Sequence, residues 1–171
     1  MTIRASVLSL ITCAMCPTQA AAESTAAEVF RQLSSLAGVW EGKFSNGRAH
    51  GVTYKLTAGD SVLVETWSLA PGRESMTLYH MDGDTLIATH YCPAGNQPTL
   101  QLAAPSADTD FVFEFRSATN LVQPIASHQH QFEIRLLNKD SFWRSETYVE
   151  KGEGTSEAVT YTRRVDQQRG D

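Results

Sequence analysis

Residues 78–98 read LYHMDGDTLIATHYCPAGNQP, and the middle of that stretch decides the fold. Asp82-Gly83 is a dipeptide that supplies the positive φ of a tight hairpin turn, and the runs on either side of it have strand composition. A two-residue turn there pairs Met81 with Asp84, Leu78 with Ile87 and Met76 with Thr89. One face of the hairpin then carries Met76, Leu78, His80, Ile87, Thr89 and Tyr91. The other carries Thr77, Tyr79, Leu86, Ala88, His90 and Cys92. The first face is slightly richer in large aliphatics, but a one-residue slip or a bulge exchanges the pairing. Either Tyr91 with His80, or His90 with Cys92, therefore lines the interior.

The same pattern extends in both directions. From Val39 onward the apolar period is two, with candidate strands at 39–45, 50–57, 61–69, 74–81, 85–92, 99–103, 111–117, 127–137, 141–150 and 156–164. Asn46-Gly47, Pro71-Gly72, Asn138-Lys139-Asp140 and Gly152-Glu153-Gly154 punctuate them. Short strands joined by tight turns are antiparallel neighbours, and closing such a sheet removes its exposed edges. The expected fold is all-β: a single antiparallel up-and-down barrel of about ten strands. Before it, Thr25-Ala26-Ala27-Glu28 has the spacing of a helix capping box. Val29, Phe30, Leu33 and Leu36 follow at helical spacing up to Gly38, which can end a helix. This short amphipathic helix closes one end. Two longer connections remain. Residues 104–110 are rich in Pro, Ser and Asp; residues 118–126 are apolar for a loop and pack on the rim or flap over a cavity mouth.

At 171 residues the chain holds one domain with a real core. Its net charge of −5 is spread along the chain without a basic stripe, which argues against nucleic acid as a partner. No apolar run reaches the ~18 residues of a membrane span. Residues 1–22 read as a cleaved export signal: Arg4, an apolar core from Ala5 to Met15, then Ala20-Ala21-Ala22 before Glu23. A lipoprotein signal fits poorly, since Thr12 precedes Cys13 and Met15 precedes Cys16. Domain boundaries follow as 1–22 signal, 23–164 barrel and 165–171 polar tail, with a periplasmic or secreted location. Cleavage removes Cys13 and Cys16 and leaves Cys92 alone, so no internal disulfide supports the fold. The terminal Arg169-Gly170-Asp171 is a chance match to an adhesion motif.

Leu36-Ala37-Gly38-Val39-Trp40-Glu41-Gly42 follows the helix and opens the first strand. It resembles the Gly-x-Trp start of the calycin superfamily, which includes lipocalins, fatty-acid-binding proteins and avidins. The resemblance implies that Trp40 closes one end against a basic residue of the last strand, and Arg163 and Arg164 stand in that place. Gly38 belongs to the same structural element. A guanidinium over an indole face gains cation–π energy. The strand count is similar to that of nitrobindin-type barrels, which makes haem a candidate cofactor, although no histidine here matches their haem ligand. Length, LAGVWEG and THYCPAGNQP together resemble bacterial exported calycin-like proteins of unknown function.

The candidate site comes from the strand at 127–137. Strict alternation puts His128, His130, Phe132, Ile134 and Leu136 on one face, pointing inward beside Phe111, Phe113 and Phe115 of the preceding strand. Two imidazoles ~6–7 Å apart can bind a metal only with a third ligand from elsewhere, and none is visible, so no metal is expected. His128 and His130, with His90, Tyr91 and Tyr79, are the candidate ligand-binding residues. His90 and Cys92 lie too far apart along a strand for an activated thiol, and no catalytic residue is assigned. Pro93–Pro98 reads as turn geometry, with Asn96 and Gln97 able to meet a ligand at the rim. Trp67, Trp143 and Tyr148 read as wall or core. Glu65, Arg144 and Glu146, if inward, must be paired. An apolar interior with a few polar groups fits a binding protein for a small hydrophobic or amphipathic molecule. The alternatives are an enzyme with a histidine general base inside the barrel, and a structural module with a filled interior.

Overall fold

The structure is a computed structural model that describes residues 25–103 and 109–164. The stretch read above as an export signal (residues 1–22), with Cys13 and Cys16, and the tail at 165–171 lie outside the described residues. Helix α1 (Ala26–Ser34) is followed by ten strands: β1 (Gly38–Lys43), β2 (Ala49–Thr57), β3 (Val62–Ala70), β4 (Arg73–Asp82), β5 (Thr85–Tyr91), β6 (Gln97–Leu102), β7 (Asp110–Thr119), β8 (His128–Asn138), β9 (Ser141–Glu150) and β10 (Glu153–Arg163). Each strand pairs antiparallel with its chain neighbour, and β1 pairs with β10 to close the barrel. The fold is the expected up-and-down barrel, and it fits a calycin-like fold. Among the described residues no helix is long and apolar enough to cross a membrane.

Thr25 caps α1 by accepting a hydrogen bond from the Glu28 N–H at 3.2 Å. The reciprocal half of the capping box is absent, because the Glu28 carboxylate turns to Arg31 and Gln32 instead. Val29, Leu33 and Leu36 are buried against the barrel floor. The helix ends earlier than expected, in tight bonds such as Leu36 N–H to Leu33 C=O, and Gly38 opens β1. Its φ of +136° suits glycine, and a Cβ there would sit 2.7 Å from Arg163 Nη1.

The predicted floor contact is present. Trp40 and Arg163 are cross-strand partners at the closing seam. The Arg163 guanidinium lies 4.2 Å from the Trp40 ring centroid and donates to Ala37 and Ser35 carbonyls at 2.8 and 3.0 Å. The indole N–H donates to Leu36 O at 2.7 Å. Arg164 takes no part; it pairs with Glu41 in solvent.

In the opening hairpin the turn residues are Gly83 and Asp84, since Asp82 pairs with Thr85. Gly83 alone has positive φ there, as a type II′ turn requires. The pairing shifts by two from the expected one, so both faces keep their expected members. The second face is the inner one: Tyr79, Leu86, Ala88 and His90 are buried, whereas Tyr91 is exposed. The slight aliphatic excess on the other face was a poor guide, because Met76 and Tyr91 stand on the outer wall. At the β9–β10 turn, Lys151 and Gly152 both take positive φ, and β10 therefore starts at Glu153.

Candidate functional site

The floor half of the barrel is filled. Phe111, Phe113, Phe132, Ile134 and Phe142 are wholly or almost wholly buried there with Leu63, Leu86 and Leu100. The other half, toward the β1–β2 turn, holds a chamber of about 300 Å³. Phe44, Leu69, Val159 and Tyr161 form its apolar side. His50, Arg144, Glu146 and Tyr148 form its polar side, with Arg48, Thr155 and Glu157 at the rim. Larger depressions, such as the one of about 510 Å³ over β10, β1 and β2, lie on the outer wall and contain no such buried polar set.

Strand alternation makes the polar side. Leu63, Glu65 and Trp67 project inward from β3, and Phe142, Arg144, Glu146 and Tyr148 from β9. Arg144 and Glu65 have side-chain exposures of 1% and 0% and meet at 2.7 Å. Glu65 also accepts from Tyr79 OH at 2.5 Å and from the Trp67 indole N–H. Arg144 reaches Glu146 at 2.7 Å and Tyr79 OH at 3.0 Å. Its guanidinium is sandwiched between Phe132, at 4.4 Å, and Trp67, at 5.0 Å. A buried charge persists only when it is paired and hydrogen-bonded in this way. Burial alone would weaken the guanidinium's hold on its proton, but Glu65, Tyr79 and Glu146 outweigh it and raise the pKa well above the usual value. Burial pushes the Tyr79 and Tyr54 hydroxyls well above the ordinary phenol range, and the Glu65 charge adds to it.

His50 stacks on Trp67 at 4.7 Å, and its Nδ1 lies 2.8 Å from Tyr161 OH. Burial, helped by the Arg48 and Arg144 charges, lowers its pKa to about 4. His90 stands between Thr77, 3.1 Å from Nδ1, and Tyr148 OH, 3.3 Å from Nε2; burial lowers its pKa to about 4 as well. Both imidazoles are neutral at pH 7. Arg144 Nη2, His50 Nε2, Tyr54 OH and both amide atoms of Gln129 are buried without a hydrogen-bond partner among the described residues. Buried polar atoms are nearly always satisfied, by protein, by water or by a ligand.

Of the sequence-derived candidates, Tyr79 and His90 face the interior: Tyr79 joins the polar network through Glu65, and His90 meets Tyr148 of the chamber wall. Tyr91 does not. His128 and His130 come together, with 3.2 Å between His128 Nε2 and His130 Nδ1, but outside the chamber. A bulge between Gln129 and Gln131 is the reason. It puts Gln129 opposite Tyr148, on the inner face, and so turns His128 away from the face of Phe132. The two histidines sit with Phe115, Leu121 and Pro124 where β7 and β8 part beyond the Glu114–Gln131 pair. The loop before β8 therefore packs on the rim, and none of its residues lines the chamber. Asn96 ties that loop down by donating to Ser127 O at 2.7 Å. Cys92 is half-buried, and among the described residues the Ala94 N–H is its sulfur's one hydrogen-bond partner. His50, Glu65, Arg144 and Glu146 were not singled out as site residues. The available signal was charge in phase with aromatics, as in Phe142-x-Arg144-x-Glu146-x-Tyr148.

The chamber's volume is at the bottom of the range for drug-sized ligands, and the Nε2 atoms of His90 and His128 already meet Tyr148 and His130. Among the described residues no three His, Cys, Asp or Glu side chains converge as a metal site.

No protein-family model matches the chain, and no curated protein matches it. Among solved structures it is similar to a protein of unknown function from the DUF3598 family of Nostoc punctiforme. The TM-score is 0.53 at 18% identity, over 78% of this chain and 49% of that one. The chain thus spans about half the length of that relative, and the likeness is one of fold.

Proposed function

We propose that the barrel binds a small amphipathic molecule in the chamber at its mouth, and that residues 1–22 export it to the periplasm or beyond. The observation that carries this reading is a chamber of about 300 Å³ whose lining mixes Phe44, Val159 and Tyr161 with Arg144 and His50, each of which has a buried nitrogen, Nη2 and Nε2, without a partner among the described residues. Leaving such donors or acceptors unmet costs about 1–3 kcal/mol each, and a ligand's polar end meets them. The Glu65–Arg144–Tyr79 network holds that end of the wall in one geometry before anything binds, which lowers the ordering cost of binding.

The test uses the mature chain beginning at Glu23 and the neutral fluorescent probe N-phenyl-1-naphthylamine. Saturable, one-site fluorescence enhancement is expected. Thr155→Trp, which fills the exposed rim without entering the core, abolishes it. Paired alanine replacement of His128 and His130 leaves it within twofold. No saturable binding, or binding indifferent to Thr155→Trp, refutes the reading. For export, N-terminal sequencing of protein from the periplasmic fraction should begin at or near Glu23; an intact N-terminus in the cytoplasm refutes that part.

A further inference from the structure

An arginine at the base of a barrel pocket invites a carboxylate ligand, and here the charges argue the opposite. Arg144 is neutralised by Glu65 at 2.7 Å before it reaches the chamber, and it is shared with Glu146, also at 2.7 Å. Beyond it, Glu146 and Glu157 are directly opposed across β9 and β10, and both line the chamber. Like charges directly opposite on paired strands are destabilising. Glu157 forms no ion pair among the described residues, and its opposition to Glu146 is relieved by a cation placed between them. The other charge at the mouth is Arg48, which is exposed and lies over the Phe44 ring at 4.5 Å. Two histidines stand close by, and both are neutral. Counting Glu65, Glu146 and Glu157 against Arg48 and Arg144, the site carries an excess negative charge. Arg144 Nη2 still lacks an acceptor. Phe44, Tyr148 and Tyr161 supply aromatic surface within the same space.

We propose that the chamber is selective for an aromatic amine that also carries a neutral oxygen, and discriminates against the corresponding carboxylate. This rests on the binding reading above. The ammonium sits between Glu146 and Glu157, where carboxylates and ring faces both favour a cation. The neutral oxygen accepts from Arg144 Nη2. A carboxylate in the same place would satisfy Nη2 but would stand against Glu146 and Glu65, with Arg48, held over the Phe44 ring at the rim, as the one lining cation not already paired to a carboxylate.

Three probes that share a phenol and a two-carbon chain separate the end groups: tyramine, 4-hydroxyphenylethanol and 4-hydroxyphenylacetate. Each is measured by displacement of N-phenyl-1-naphthylamine from the mature chain at pH 7 and low salt. Tyramine should bind at least about fivefold more tightly than 4-hydroxyphenylacetate, with the alcohol between them; the effect is modest because the mouth is wet. Glu157→Gln, at an exposed position, should reduce the amine-to-carboxylate ratio at least twofold, and 0.5 M salt should do the same. Equal or tighter binding of the carboxylate overturns the proposal, as does failure of all three to displace a probe that itself binds. If the probe does not bind either, the binding reading falls and the selectivity falls with it.

Discussion

Glu65→Gln is the substitution that most directly tests the interior network. The change is isosteric, so packing is preserved, but it removes the full charge that neutralises Arg144 in a site where both side chains are at or below 1% exposure. The replacement amide also turns its NH2 either toward the Trp67 N–H or toward Tyr79 OH and Arg144 Nη1 together. Breaking a buried pair from one side costs about 3–5 kcal/mol. Glu146 still holds Arg144 at 2.7 Å, so the loss should fall near the lower end, about 3 kcal/mol. For a domain of this size that is a fall in Tm of roughly 6–12 °C. Arg144→Met alone should be comparably costly, because it strands the Glu65 carboxylate. The double variant should lose less than the sum, with a coupling energy of about 2–3 kcal/mol. The assay is urea unfolding followed by far-UV circular dichroism, since Trp67 belongs to the network and its fluorescence baseline will move. Coupling below about 0.5 kcal/mol would show that the charges are solvated or apart, and the account of the chamber wall would fail with it.

Acid should weaken the fold through its buried imidazoles. The folded pKa of His90 is about 4 against an ordinary 6.5, so the unfolded chain binds more protons between those values. Stability from this source is complete above pH 6.5 and is lost as pH falls toward 4, by roughly 3 kcal/mol for His90; His90→Gln should flatten the urea midpoint over that window, and an unchanged slope would contradict the burial. At the floor, Arg163→Lys keeps the charge but loses the fork to the Ala37 and Ser35 carbonyls, and should cost about 1–2 kcal/mol in urea unfolding. Arg164→Lys should cost nothing measurable, and equal effects at the two positions would rule out the floor assignment.

The fold was legible because its signals are local. Gly38-x-Trp40, the turn glycines and a period of two each act within a few residues, and Arg163 needed only to be placed on the last strand. The site was less legible for two physical reasons. The bulge at β8 carries no glycine or proline to announce it, so the string His128-x-His130-x-Phe132 keeps a perfect alternation while the chain beneath it changes phase. The Arg144–Glu65 pair joins residues 79 apart in sequence. Each could be read as a charge among aromatics, but only closure of the barrel shows that they share one interior. The choice between Tyr91 and His90 was decided by the neighbours of the hairpin, and nothing within the hairpin itself carries that information.

The way the barrel closes has a consequence for how it forms. Every sheet pairing except one joins strands adjacent in the chain. Most of those hairpins involve short loops, the β6–β7 and β7–β8 connections being longer, and such contacts form with little loss of chain entropy. The exception, β1 to β10, is carried by a short register from Trp40–Arg163 to Gly42–Tyr161 and brings together residues such as Ala37 and Arg163, 126 apart. Hairpin pairing alone would give an open ribbon, and ring closure, which joins the two strands farthest apart in sequence, carries the largest loss of chain entropy of any pairing in the sheet. Arg163 is the latch of that step: it engages strand, tryptophan and helix end at once. Burial of Trp40 thus belongs to the contact that makes a ribbon a vessel, and the chamber depends on that closure.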